Sequence, residues 1–194
     1  MANLAVQAVE PRSQSLSRNL ALIVAASLLM DILGRFSVPM PFSPVPLTLA
    51  NFGVLLIALS MGARRAAAAM CLYLAQGAMG MPVFSPAGPG GIAQIVGPTG
   101  GYLMSYPLAA FAAGWIVDRG KQSLTWLSIA AIVGEIVLFI GGVGYLMALM
   151  HVPLHVAANW GLYPFGFGEV IKVIAAVAMA VRLRGSSKWS NLLA

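Results

Sequence analysis

From Leu124 to Met150 the chain reads LTWLSIAAIVGEIVLFIGGVGYLMALM, and Glu135 is its one charged side chain. An apolar stretch longer than about 18 residues reads as a helix that crosses a bilayer. Working outward, similar runs lie at Leu16 to Leu33, Val45 to Met61, Ala66 to Gly80, Gly97 to Val117 and Leu162 to Val181. Two of these fall short of a full bilayer and the quoted one exceeds it, so some helices should tilt, kink or be covered by neighbours. Composition agrees: 60% of the 194 residues are hydrophobic and 8% are charged, against roughly a quarter charged in soluble domains. The expected fold is an all-α membrane protein, a bundle of six transmembrane helices in a single domain over 1–194. Polar tails are expected at about 1–15 and 185–194. Six spans leave no length for a soluble ATPase or catalytic domain, so energy would come from a partner.

The formal net charge of +6 would suggest nucleic acid in a soluble protein, but here the charges fall between hydrophobic runs and no nucleic-acid partner is expected. Arg12, Arg18, Arg64, Arg65, Arg119, Lys121, Arg182, Arg184 and Lys188 all lie on alternate connections or at the termini. Basic connections stay inside the cell. The sequence therefore reads as multi-pass in the cytoplasmic (inner) membrane with both termini cytoplasmic. The polar stretch up to Arg18 has no apolar core of the signal-peptide kind, and no cleaved signal is expected. Cys71, the single cysteine, is expected to be a small packing residue.

Proline and glycine mark the outer connections. Pro39, Pro41, Pro44 and Pro46 lie in the first, and Pro82, Pro86, Pro89, Gly90, Gly91 and Pro98 in the second. Neither segment should form regular helix, since proline lacks a donor and constrains its predecessor. Irregular backbone beside a bilayer has to be covered or face water. These unusually apolar loops are expected to cap a ligand cavity.

Ionisable side chains inside spans are costly and mark function by default. Asp31 and Arg35 are spaced i,i+4 and either face the cavity or snorkel to the outer interface. Glu135 either hydrogen-bonds a neighbouring helix or meets ligand, the former being favoured. Glu169 and Lys172, at i,i+3, share a helical face; they either form a packing ion pair or serve a polar ligand. Asn51, Gln76, Gln94, Thr99, Tyr102 and Asn159 add neutral hydrogen-bonding groups, and Phe42, Phe84, Tyr163 and Phe165 are candidate aromatic walls. Ala21 and Ala25 lie one turn apart and would let another helix approach closely. Enzyme motifs are absent: there is no H-E-x-x-H, no G-x-S-x-G and no phosphate loop. His151 and His155 are separated by Pro153, which argues against a shared metal-binding face. No catalytic residue, metal or cofactor is expected.

Taken together, Pro44-Val45-Pro46-Leu47-Thr48-Leu49, Leu72-Tyr73-Leu74 leading to Gly80-Met81-Pro82-Val83-Phe84, Gly97-Pro98-Thr99-Gly100-Gly101-Tyr102-Leu103, and Tyr163-Pro164-Phe165 through Gly168-Glu169-Val170-Ile171-Lys172 resemble the BioY family. The resemblance runs from about Ala21 to Val181. It implies high-affinity biotin capture, as the substrate-binding subunit of an energy-coupling factor transporter, under the two outer loops. The implied ligand-binding set is Glu169, Lys172, Asn51, Thr48, Gln94, Tyr102, Phe84 and Phe165. It also implies a membrane-embedded coupling subunit and two ATPase subunits as partners, with Ala21 and Ala25 matching a docking face, and self-association as a further possibility. The family's last-helix element usually reads Pro-Gly-Asp, where this chain has Phe167-Gly168-Glu169, and commonly has glutamine where Ala50 stands. An independent small-molecule channel or secondary carrier is the alternative reading.

Overall fold

Ser123 opens the longest helix by accepting the Trp126 N–H with its side chain, and His151, at φ 50°, closes it. Such caps satisfy groups that the helix itself leaves unpaired. The computed structural model describes residues 12–120 and 123–186. In order, the helices are α1 (Arg12–Arg35), α2 (Ala50–Met61), α3 (Ala63–Ala78), α4 (Gly91–Ile95), α5 (Gly100–Arg119), α6 (Leu124–Met150), α7 (Leu154–Gly161) and α8 (Gly166–Arg184). The protein is an all-α membrane protein: Leu16–Arg35, Leu124–Met150 and Leu154–Arg184 are long and apolar enough to cross a bilayer, and α2 is apolar but shorter.

Each expected span contains a helix, and α4 and α7 are additions. Four expectations need correction. The run from Val45 begins as loop and strand, because Pro44 and Pro46 block helix there; β1 (Ser37–Val38) pairs antiparallel with β2 (Leu47–Thr48), and α2 starts only at Ala50. The second outer loop is not wholly irregular. Gly90 and Gly91, at φ 74° and 60°, turn the chain into α4, a conformation that suits glycine. The last run is broken at Leu162 and continues through a 3-10 turn, Tyr163–Phe165, before α8. Cys71 is exposed on α3 rather than packed inside. The expected polar tails fall largely outside the described residues, as do Lys121 and Lys188, and the described part is already helical from Arg12.

The interior is built around α2, in which every residue except Phe52 is buried. It packs chiefly on α8 and α5. Arg184, at the end of α8, donates to the Leu59 and Ser60 carbonyls at 2.8 and 3.4 Å, meeting acceptors left over at the end of α2. Asp118, near the end of α5, accepts the Ala63 N–H at 2.9 Å and so caps α3. The most extensive pairing is α5 on α6. A Cβ on Gly101 would lie 2.5 Å from the Gly141 carbonyl oxygen, so small residues set this close approach.

Candidate functional site

Several helix starts converge at one end of the bundle. Thr48 Oγ1 accepts the Ala50 N–H at 3.2 Å where β2 leads into α2, and Asn51 follows. Tyr102 lies in the first turn of α5 and Glu169 in the first turn of α8, where the positive end of the helix dipole favours an acid. Gln94 is carried by α4 and held there by the Gly90 N–H, which donates to its Oε1 at 3.0 Å. Phe165 ends the 3-10 turn. Thr48, Asn51, Gln94, Tyr102, Phe165 and Glu169 all line one cavity.

A chain of hydrogen bonds runs beneath it. Tyr106 donates to Asn51 Oδ1 at 3.3 Å, Asn51 Nδ2 donates to Glu169 Oε1 at 3.4 Å, and Lys172 Nζ donates to the same oxygen at 2.8 Å. Glu169 and Lys172 are 6% and 8% exposed, so their pairing offsets a desolvation cost of several kcal/mol per ion. The other carboxylate oxygen, Glu169 Oε2, is buried with no hydrogen-bond partner among the described residues. A native buried acceptor in that condition calls for an explanation.

Two of the eight anticipated binding residues do not line the cavity. Lys172 sits behind Glu169, one turn further along α8. Phe84 sits behind Tyr73, edge-on at 5.3 Å between ring centroids, and fills the space over Gly77. Other candidates also lie elsewhere. Gln76 accepts from Ser27 at 2.7 Å and straps α1 to α3; Asn159 is exposed. Phe42 and Tyr163 are too exposed to be walls. Arg35 reaches the Pro82 carbonyl at 2.7 Å rather than the cavity, while Asp31 Oδ1 is buried without a hydrogen-bond partner. Glu135 is buried within electrostatic reach of Glu169 and Lys172. Its carboxyl lies within hydrogen-bonding reach of the Glu169 carboxyl on α8, the helix-to-helix contact expected of it, and the bond forms when one of the two is protonated.

Sequence reasoning missed Tyr73, Tyr106 and Phe139, which supply most of the aromatic wall. Tyr73 and Tyr106 stack at 6.2 Å. Their hydroxyls inside apolar runs were the available signal, because a buried tyrosine O–H needs a partner. Ser85 and Thr99 add polar lining from the second loop. Ser37 and Ser85 are hydrogen-bonded at 2.7 Å, and Ser43 donates to the Trp160 carbonyl at 2.6 Å, so both loops are fastened over the site. The cavity volume is ≈ 40 Å³, far below the roughly 300–1,000 Å³ of a typical small-molecule pocket. A ligand of vitamin size therefore enters only if the loops or the aromatic wall move.

A second feature lies on α1. Ala21 and Ala25 are exposed, and Ala25 borders an apolar groove with Leu22, Leu29, Leu56, Met61 and Leu183.

Comparison with known proteins places these features in context. The BioY family model matches residues 5–188. The chain is 35% identical over 147 residues to the biotin transporter BioY of Thermotoga maritima, covering 76% of this chain and 85% of that one. It is 32% identical over 173 residues to the biotin transporter BioY2 of Lactococcus lactis subsp. cremoris, covering 89% and 93%. The BioY biotin transporter of Rhodobacter capsulatus is 35% identical over 150 residues, covering 77% and 75%. Among solved structures, the S-component for biotin from an ECF-type ABC transporter superposes with a TM-score of 0.84 at 25% identity, covering 95% of this chain and 99% of that one.

Proposed function

The chain belongs to the BioY family, and from that premise we propose that it captures biotin in the cavity lined by Glu169, Asn51 and Tyr102. It is a multi-pass membrane transport protein and not an enzyme. One observation supports the site assignment most directly. Glu169 lines the cavity, is fixed through one oxygen by Lys172 and Asn51, and keeps a second oxygen without a fixed donor among the described residues, the Glu135 carboxyl being the neighbour in reach. Biotin carries a ureido ring with two N–H donors, an apolar thiophane ring and a flexible carboxylate tail. Glu169 accepts from the ureido N–H groups, each such charged hydrogen bond contributing about 1.5–3 kcal/mol. Tyr73, Tyr106, Phe139 and Phe165 enclose the thiophane ring. Lys172 acts through Glu169, holding the carboxylate in place.

Capture is followed by uptake. The protein works as an S-component, and in our reading its partners are a membrane-embedded coupling subunit and two ATPase subunits, with the Ala21 and Ala25 face of α1 as the docking surface. Both termini lie in the cytoplasm and the loops over the cavity face outward, which fits the alternation of basic connections along the chain. The test is thermal: a ligand that binds only the folded state raises its apparent stability. Purified protein in detergent should melt at a higher temperature in biotin, with the rise growing as biotin exceeds Kd. A melting temperature indifferent to saturating biotin would remove the assignment.

A further inference from the structure

At the other end of the bundle, sixteen residues or about 24 Å along α5 from Tyr102 to Asp118, the chain builds a basic basin that biotin capture does not use. It is a concavity of ≈ 570 Å³ between the start of α3 and the end of α5, bordered by Arg64, Arg65, Phe111, Trp115, Asp118 and Arg119. Among the described residues Arg64, Arg65 and Arg119 border it together with one acid, Asp118, whose carboxylate already accepts the Ala63 N–H. Arg119 lies over the Trp115 ring at 3.7 Å from its centroid, an arrangement that fixes the guanidinium beside an indole of the kind found at membrane interfaces. Leading away from the basin, Met104, Leu108, Phe111 and Trp115 are all exposed, at 43%, 65%, 47% and 47%. Their spacing of four, three and four residues places them on one face of α5. The basin thus joins phosphate-binding groups to an apolar track along more than half of α5.

We propose that this basin seats the headgroup phosphate of an anionic phospholipid, with one acyl chain lying along Met104, Leu108, Phe111 and Trp115. Arginine suits the role because its planar fork matches two phosphate oxygens at once. A generic boundary lipid would meet a convex surface and a single charge. Here, side chains from two helices enclose the headgroup, so the site discriminates by charge. Since basic groups near the bilayer surface each favour anionic lipid, a preference of about tenfold or more over a zwitterionic lipid is expected.

The experiment uses Trp115 as its own reporter. In the full chain carrying Trp126→Phe, Trp160→Phe and Trp189→Phe, fluorescence is titrated in detergent with bromine-labelled phosphatidylglycerol and, separately, with bromine-labelled phosphatidylcholine. Half-quenching should need about tenfold less phosphatidylglycerol. Arg64→Ala with Arg119→Ala should equalise the two lipids, and Arg64→Lys with Arg119→Lys, which keeps the charge, should retain a preference of several-fold. The lysine pair also controls for misfolding. Equal quenching by both lipids in the parent overturns the proposal. So does an absence of quenching by phosphatidylglycerol while inorganic phosphate alone shifts the Trp115 emission, since the basin would then be a site for free phosphate.

Discussion

At the scale of single residues, Lys172 and Glu169 have separable roles. Lys172→Ala leaves the Glu169 charge buried without its partner, which should cost about 3–5 kcal/mol of stability and also release the carboxylate from its position. Glu169→Gln combined with Lys172→Met removes both charges at similar volume. Stability should then recover toward the parent, because replacing a whole buried pair is often neutral. Biotin affinity should stay low, by at least the 1.5–3 kcal/mol or so of one charged hydrogen bond, tenfold or more in Kd. Melting curves read the first effect and calorimetry the second. Calorimetric affinity of the double variant within a few-fold of the parent would take Glu169 out of the site. The i,i+3 spacing made this pair legible in the sequence, but not its depth. That spacing places two side chains on one face and is silent on which of them lies nearer the cavity. Tyr73 and Tyr106 escaped notice for a related reason, since an aromatic residue in an apolar run reads as core until the facing helix is known.

At the scale of elements, the two loops over the cavity are fastened by the Ser37–Ser85 and Ser43–Trp160 hydrogen bonds, so access should report on ligand. Ser85 is buried and lines the cavity, whereas Phe42 is 61% exposed. Cysteines placed singly at these positions in a Cys71→Ala background should differ in their reaction with an impermeant thiol reagent. Ser85→Cys should react more slowly than Phe42→Cys, and biotin should slow Ser85→Cys further, because opening must precede both labelling and release. Equal rates at the two positions in saturating biotin would reduce the cover to plain connectors. On α1 a different outcome is expected. Ala25→Trp fills the groove beside Leu56 and Leu183 without touching the cavity, so energised uptake in cells should fall while calorimetric biotin affinity is unchanged. Equal loss of both would make the groove part of internal packing. Long apolar helices such as α6 were legible to the residue, because composition and a serine cap act locally. The β1–β2 pair, α4 and α7 were not, since two-residue strands and helices of five and eight residues are fixed by tertiary contacts more than by their own periodicity.

At the scale of the whole molecule, polar chemistry is divided between two ends, with Glu169, Asn51 and Gln94 at one and the arginine basin at the other. Between them lies α2, twelve residues long and buried on nearly every side. Its length is about 18 Å against a hydrocarbon core of about 30 Å. A segment of that length is shorter than one expected to span the bilayer independently. Its lasting place depends on α8, which lies far downstream in the chain and is one of its two chief neighbours. In stalled nascent chains bearing Val54→Cys and Cys71→Ala, the new thiol should react with a water-soluble reagent when synthesis stops before Gly166. It should become protected once the full chain is released from the ribosome. Protection in the shorter chain would show that α2 seats itself unaided. Otherwise the cavity is completed late, since Ala50 and Asn51 of α2 and Glu169 of α8 line it together, and a chain halted before α8 carries a second helix with nowhere to settle.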